Sequence, residues 1–226
     1  MQRSEERDLR EGLIYDPAVK GYDSSFWKGD TANLLADTVR GALKIGDTGL
    51  VGSASSYSQY VMGDFEFTTA VDSLSPDSND SEKYWGLRNL GDTLNRGAAY
   101  FDLSYDTTND TAGLARSDGG VGHFRVVVNG EDTTRVRRNI AWDTNWGGGG
   151  RLVRTRIAWD ENGYTFLVND TVYATIPAGR DTDNNELAIN TSIPQALRVS
   201  NRSLDTTDTS VTALKFVNIR NARKII

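Results

Sequence analysis

Cysteine is absent from the 226 residues and histidine occurs once. The first absence excludes disulfides, iron–sulfur clusters and thiolate zinc sites. The second excludes multi-histidine metal centres and leaves a histidine-based triad a single base, His123. No apolar run approaches the ~20 residues a helix needs to cross a bilayer, so membrane insertion is not expected. Positive charge is also in deficit: 25 Lys and Arg against 31 Asp and Glu leave a net charge of −6. The longest basic cluster is Arg135-Val136-Arg137-Arg138, which argues against a nucleic-acid partner.

What is present is lopsided. Asp outnumbers Glu 23 to 8, and Arg outnumbers Lys 19 to 6. Asp favours turns, where its short carboxylate bonds nearby backbone N–H groups. Arg offers a weakly hydrated planar fork. A G+C-rich genome gives this bias, and so does a salt-adapted proteome.

Residues 1–12 open on the polar stretch MQRSEERDLRE, which lacks the apolar core of a secretory signal and reads as an N-terminal arm. From Leu13 onward β signals dominate, and no Pro-rich or Ser-rich linker divides residues 13–226, so they read as a single domain. Residues 63–72 alternate, with Phe65, Phe67, Thr69 and Val71 on one face; Ala99, Phe101, Leu103 and Tyr105 repeat the pattern. Phe124–Val128 ends at Asn129-Gly130, and Leu152–Trp159 ends at Asn162-Gly163, both two-residue hairpin signals. Asn169-Asp170 turns the chain into Val172–Ile176, and Leu197–Val199 and Val211–Ile219 add two strands. Ile157 and Phe166 are the expected core of the central hairpin. Only Ala32–Val39 has a helical pattern. The fold class is all-β, an antiparallel β-sandwich with a short polar N-terminal arm.

The strand order resembles the concanavalin A-like lectin/glucanase jelly rolls (laminin G-like). Arg40-Gly-Ala-Leu-Lys-Ile-Gly46 followed by Gly63-Asp-Phe-Glu-Phe67 is similar to their opening strands. Arg154-Thr-Arg-Ile-Ala-Trp159 with Tyr164-Thr-Phe-Leu-Val-Asn-Asp170 is similar to their central hairpin, with Asp170 where Gly is usual. Pro194–Asn201 and Ala213–Ile219 are similar to the last two strands. The resemblance covers roughly residues 40–220 and implies two curved sheets with a concave face that often binds glycans.

The hydrolases of that superfamily carry Glu-x-Asp-x-(x)-Glu on one strand, because a retaining mechanism needs two carboxylates ~5–5.5 Å apart. Here the string occurs only as Glu6-Arg-Asp8-Leu-Arg-Glu11, in the polar arm. The strands expected to line the concave face, 84–89 and 98–106, hold Asp102 and Asp106 without a Glu triad, and Glu66 and Glu82 stand isolated. The resemblance thus implies a non-catalytic member.

Glycan sites stack sugar faces on aromatic rings and fix hydroxyls with planar polar groups. Two segments offer both, giving Trp85 and Arg88 in one and Trp142, Asn145 and Trp146 in the other as candidate glycan-binding residues. Trp85 and Trp142 read better as core residues, whereas Trp146, beside the Gly147–Gly150 loop, is balanced between the two readings. Asp181, Asp183 and Asn185 place oxygens at alternate positions, a calcium candidate whose sixth residue is Glu186 instead of Gly; no other cofactor is expected. His123 opens an apolar strand and reads as packed.

A glycan-binding fold without an export signal suggests a protein released by lysis. The expectation is a non-enzymatic virion structural protein of a tailed virus: a head decoration, fibre or tail component. It would assemble as a homo-oligomer with other virion proteins through its arm, and its candidate ligand is host cell-surface polysaccharide. The alternatives are a microbial carbohydrate-binding module or lectin, and a glycanase with displaced carboxylates.

Overall fold

The computed structural model describes residues 13–15, 24–29, 34–37, 42–45, 52–71, 81–89, 91, 96–106, 114–115, 121–130, 135–139, 152–180, 188–203 and 212–224. Among them there is no helix. The strands are β1 (Leu13–Tyr15), β2 (Trp27–Gly29), β3 (Leu34–Asp37), β4 (Ala42–Ile45), β5 (Gly52–Val71), β6 (Ser81–Arg88), β7 (Ala99–Asp106), β8 (Leu114–Ala115) and β9 (Val121–Asn129). They continue as β10 (Arg135–Asn139), β11 (Leu152–Asp160), β12 (Gly163–Val168), β13 (Thr171–Pro177), β14 (Gly179–Arg180), β15 (Ala188–Ile189), β16 (Gln195–Ser203) and β17 (Thr212–Lys224).

The pairings are antiparallel and build two layers joined by β5. The front layer runs β10-β9-β7-β6-β16 and then the first half of β5, where Ser55 pairs with both Arg198 and Lys28. The back layer runs β13-β12-β11 to the second half of β5, then β17, which carries β4 and β1, with β3 on β4. Strand β5 serves both layers along its 20 residues.

Alternation decides what lies between them. In the front layer Trp85, Phe101, Phe124, Leu197 and Val199 are buried; in the back layer Phe65, Phe67, Ile157, Phe166 and Val168 are. The layers meet where Phe101 and Phe166 pack edge to face at 5.4 Å. A buried polar bridge joins them: the Trp85 indole N–H donates to Thr155 Oγ1 at 2.6 Å, and the Thr155 hydroxyl donates to the Phe67 carbonyl at 3.3 Å. At one end Tyr164 donates to the Gly97 carbonyl at 3.1 Å and Trp159 to the Thr191 carbonyl at 3.1 Å. Ile157 and Phe166 are fully buried, cross-strand partners in the hairpin where they were expected.

The turns refine the expectations. Asn169 and Asp170 have φ of 46° and 66°, the two positive values a type I′ turn demands, so Asp occupies the position usually given to Gly. Local bonds fix it: the Arg154 N–H donates to Asn169 Oδ1 at 3.1 Å, and the Arg154 guanidinium pairs with Asp170. At the previous turn the loop residues are Glu161 and Asn162, one earlier than expected, because Asp160 pairs with Gly163 and accepts the Asn162 N–H at 2.7 Å. After β9 the connection is longer than two residues, since Asn129 pairs with Arg135.

One expectation fails outright. The segment read as helical contains strand β3, whose Leu34, Leu35, Ala36 and Asp37 pair with Ile45, Lys44, Leu43 and Ala42. Its pattern is too short to support a helical nucleus, and a neighbouring strand satisfies the backbone instead. The N-terminal arm and its Glu6, Asp8 and Glu11 lie outside the described residues.

Candidate functional site

The alternation that buries Trp85, Phe101, Phe124 and Leu197 turns their neighbours outward. Tyr84, Gly86 and Arg88 of β6, Tyr100 and Asp102 of β7, Arg125 and Asn129 of β9 and Arg198 of β16 line one cleft of about 250 Å³, together with Leu87 and Ala98. Register explains the assembly. Tyr84 stands opposite Asp102, which stands opposite Arg125; the next row holds Arg198, Gly86, Tyr100 and Val127. Gly86 is required there. A Cβ on it would lie 2.6 Å from the Ala99 oxygen and from Tyr100 Cα, so only glycine lets β6 and β7 approach this closely.

The cleft is polar and its charges are held in place. Arg125 Nε donates to Asp102 Oδ2 at 2.6 Å, with both side chains only 13% and 12% exposed. Arg88 Nη1 donates to the Tyr84 hydroxyl at 3.2 Å, and the Arg198 guanidinium lies over the Tyr84 ring, 5.8 Å from its centre. Arg198 is half-buried, and its Nε has no hydrogen-bond partner. Burial pushes its pKa below the ordinary guanidinium value; Tyr84 opposes this and the Arg88 charge adds to it. Tyr84 and Tyr100 contact each other at 5.6 Å between ring centres.

A second, more open depression of about 470 Å³ includes Met62, Gly63, Asp64, Trp159, Asp160 and Asn162. Asp64 within it is occupied by a two-pronged pair with Arg156, which raises the Arg156 pKa. It brings together none of the residues singled out from the sequence.

Of those residues, Arg88 and Asp102 line the front cleft. Trp85 is 1% exposed; its ring packs on Phe101 and Phe124 and its N–H is spent on Thr155, so it presents no face to a ligand. Trp142, Asn145, Trp146, Asp181, Asp183 and Asn185 lie outside the described residues. His123 is on β9 opposite Ser104. The register sets Glu82 of β6 opposite Ser104 on one side and Arg202 on the other, one row along from Tyr84 and Asp102. Tyr100, Arg125 and Arg198 were missed. Their signal was available as single polar residues between buried neighbours in Ala99–Phe101, Phe124–Val126 and Leu197–Val199.

No family model matches the sequence, and no curated protein matches it. Solved structures do. The laminarinase catalytic domain of Thermotoga maritima is 10% identical over 95% of this chain and 98% of its own, with a TM-score of 0.66. The β-glucanase of Bacillus licheniformis is 9% identical over 93% and 98%, with a TM-score of 0.60. An endo-acting O-glycanase from the human gut microbiota, described as initiating mucin breakdown, is 12% identical over 92% and 98%, with a TM-score of 0.65. At such identities the likeness shows the fold.

These neighbours correct two expectations. The reading as a non-enzymatic virion structural protein rested on a missing Glu triad and a missing export signal. The laminarinase, the β-glucanase and the O-glycanase, which share this fold over nearly their whole length, are glycan-cleaving enzymes, and they lend viral, capsid and tail roles no support. A strand pattern specifies the sandwich but not what is done on its face. The chain has the concanavalin A-like jelly-roll fold, shared with glycoside hydrolases of family 16.

Proposed function

We propose that the protein is a glycan-cleaving enzyme whose polysaccharide lies across the front layer in the Tyr84–Asp102–Arg198 cleft. The observation that carries this reading is the placement of Asp102. It stands mid-sheet, ion-paired to Arg125, in a cleft walled by two tyrosines and rimmed by guanidinium groups. Tyrosine rings receive the apolar faces of sugars, and planar charged groups fix their hydroxyls.

Hydrolysis needs a second carboxylate. Glu82 supplies the candidate, since its partner Ser104 is two residues along β7 from Asp102. Cleaving a glycosidic bond takes two carboxyl groups, one to protonate the leaving oxygen and one to act as nucleophile or base.

The test is release of reducing ends from a panel of neutral and acidic polysaccharides, with product anomers followed by NMR. Asp102→Asn and Glu82→Gln are expected to lower kcat by ~10²–10⁴-fold while circular dichroism stays unchanged. No release from any polysaccharide by the folded protein refutes the reading.

A further inference from the structure

We propose that the glycan taken by this cleft is a polyanion, carrying carboxylate or sulfate groups along the chain; this rests on the glycan-cleaving reading above. The protein as a whole is acidic, with a net charge of −6, yet the cleft inverts that sign. Among the described residues its charged lining is Arg88, Arg125 and Arg198 against Asp102. Asp102 answers Arg125 at 2.6 Å. Arg198 has only the π face and hydroxyl of Tyr84, and its buried Nε is unpartnered.

Holding a half-buried guanidinium without a counter-ion is costly, and bringing a second one near it adds to the cost. Arg88 and Arg198 both engage Tyr84, Arg88 through the hydroxyl and Arg198 over the ring, so one aromatic side chain holds two cations near one opening. An incoming carboxylate or sulfate offsets that cost. It offers the paired oxygens that a guanidinium fork binds bidentately, and Arg198 Nε supplies a free donor. A neutral sugar hydroxyl would satisfy the donor but leave the charge unanswered.

The experiment is affinity electrophoresis of the full chain through gels holding polygalacturonate, dextran sulfate, neutral laminarin, carboxyl-reduced polygalacturonate or polyglutamate. Retardation by polygalacturonate or dextran sulfate, with laminarin and the reduced polymer inert, supports the proposal; whichever polymer retards identifies carboxylate or sulfate as the group read. Arg198→Gln is expected to weaken that retention at least tenfold and Arg198→Lys to weaken it less. Arg154→Gln, on the hairpin outside the cleft, is expected to leave it unchanged. Equal retention by neutral and charged glycans, or an Arg198→Gln protein that folds and binds like the parent, overturns the polyanion inference while leaving the glycan reading intact. Retention by polyglutamate equal to that by charged glycans, or by no glycan at all, overturns both.

Discussion

The bridge between the two layers can be tested as a pair. Trp85 Nε1 donates at 2.6 Å to Thr155 Oγ1, and both residues are buried, in strands of opposite layers. Thr155→Val removes the acceptor while nearly keeping the shape, so the indole N–H is left buried and unsatisfied at a cost of about 1–3 kcal/mol. Trp85→Phe removes the donor and leaves a gap beside Phe101 and Phe124. In that background Thr155→Val strands no donor and should cost about 1 kcal/mol or less. The double-mutant cycle, read from urea unfolding, should therefore give a coupling of about 1–2 kcal/mol. A chain of this size should show the coupling thermally too, at roughly 2–4 °C in Tm per kcal/mol. Additivity within ~0.5 kcal/mol would mean that the bond is absent and that the layers do not pack in this register. The same Trp85→Phe protein should keep its glycan affinity, because the ring faces inward; a large loss would return Trp85 to the ligand surface.

Gly86→Ala should lower stability by about 2–4 kcal/mol, since φ is +152° and the new methyl would collide with main-chain atoms of β7 that cannot yield; an unchanged Tm would mean that β6 and β7 stand further apart. Alkaline stability should report the buried phenols. Burial pushes the Tyr60 pKa up to about 12, with the nearby Ser58 side chain opposing, and burial raises Tyr164 further still. Above pH ~10 the unfolded chain loses phenolic protons that the native state retains, so it binds fewer protons and unfolding becomes easier as pH rises. The stabilisation is complete below pH ~10, and the loss should approach ~1.4 kcal/mol per pH unit for each tyrosine. Urea midpoints between pH 9 and 11.5 measure it, and Tyr60→Phe should make the decline shallower; an unaltered slope would place Tyr60 in contact with water.

Much of the sandwich was legible because a buried face imposes a period of two. Phe65, Phe67, Phe101, Ile157 and Phe166 declared themselves that way, and all are fully buried. Turn positions slipped by a residue where two signals competed, as at Glu161-Asn162, where an Asp160 side-chain bond sets the loop and Gly163 opens the next strand. The Ala32–Val39 reading failed because a short apolar run has no decisive period until a partner strand claims it. Trp85 was weighed for a ligand and for the core, with the core favoured, and it is buried against Phe101 and Phe124. The cleft was hidden for a different reason. Strand β16 inserts between β6 and β5, bringing Arg198 beside Arg88, and nothing local to either segment announces that neighbour.

The long β5 also governs the order in which this molecule can be made. Its second half takes β11 on one side and β17 on the other, so residues 60–71 must wait for residues 212–224 before that flank is closed. Until then a strand containing Phe65, Phe67 and Val71 has one open edge, the kind of template that recruits other chains. Pairing across such a separation makes for slow closure, on the millisecond-to-second scale typical of β-sandwiches. Expression yield should therefore depend more on how quickly β17 docks than on native stability, and a lowered growth temperature or a slower promoter is the natural remedy if the protein aggregates.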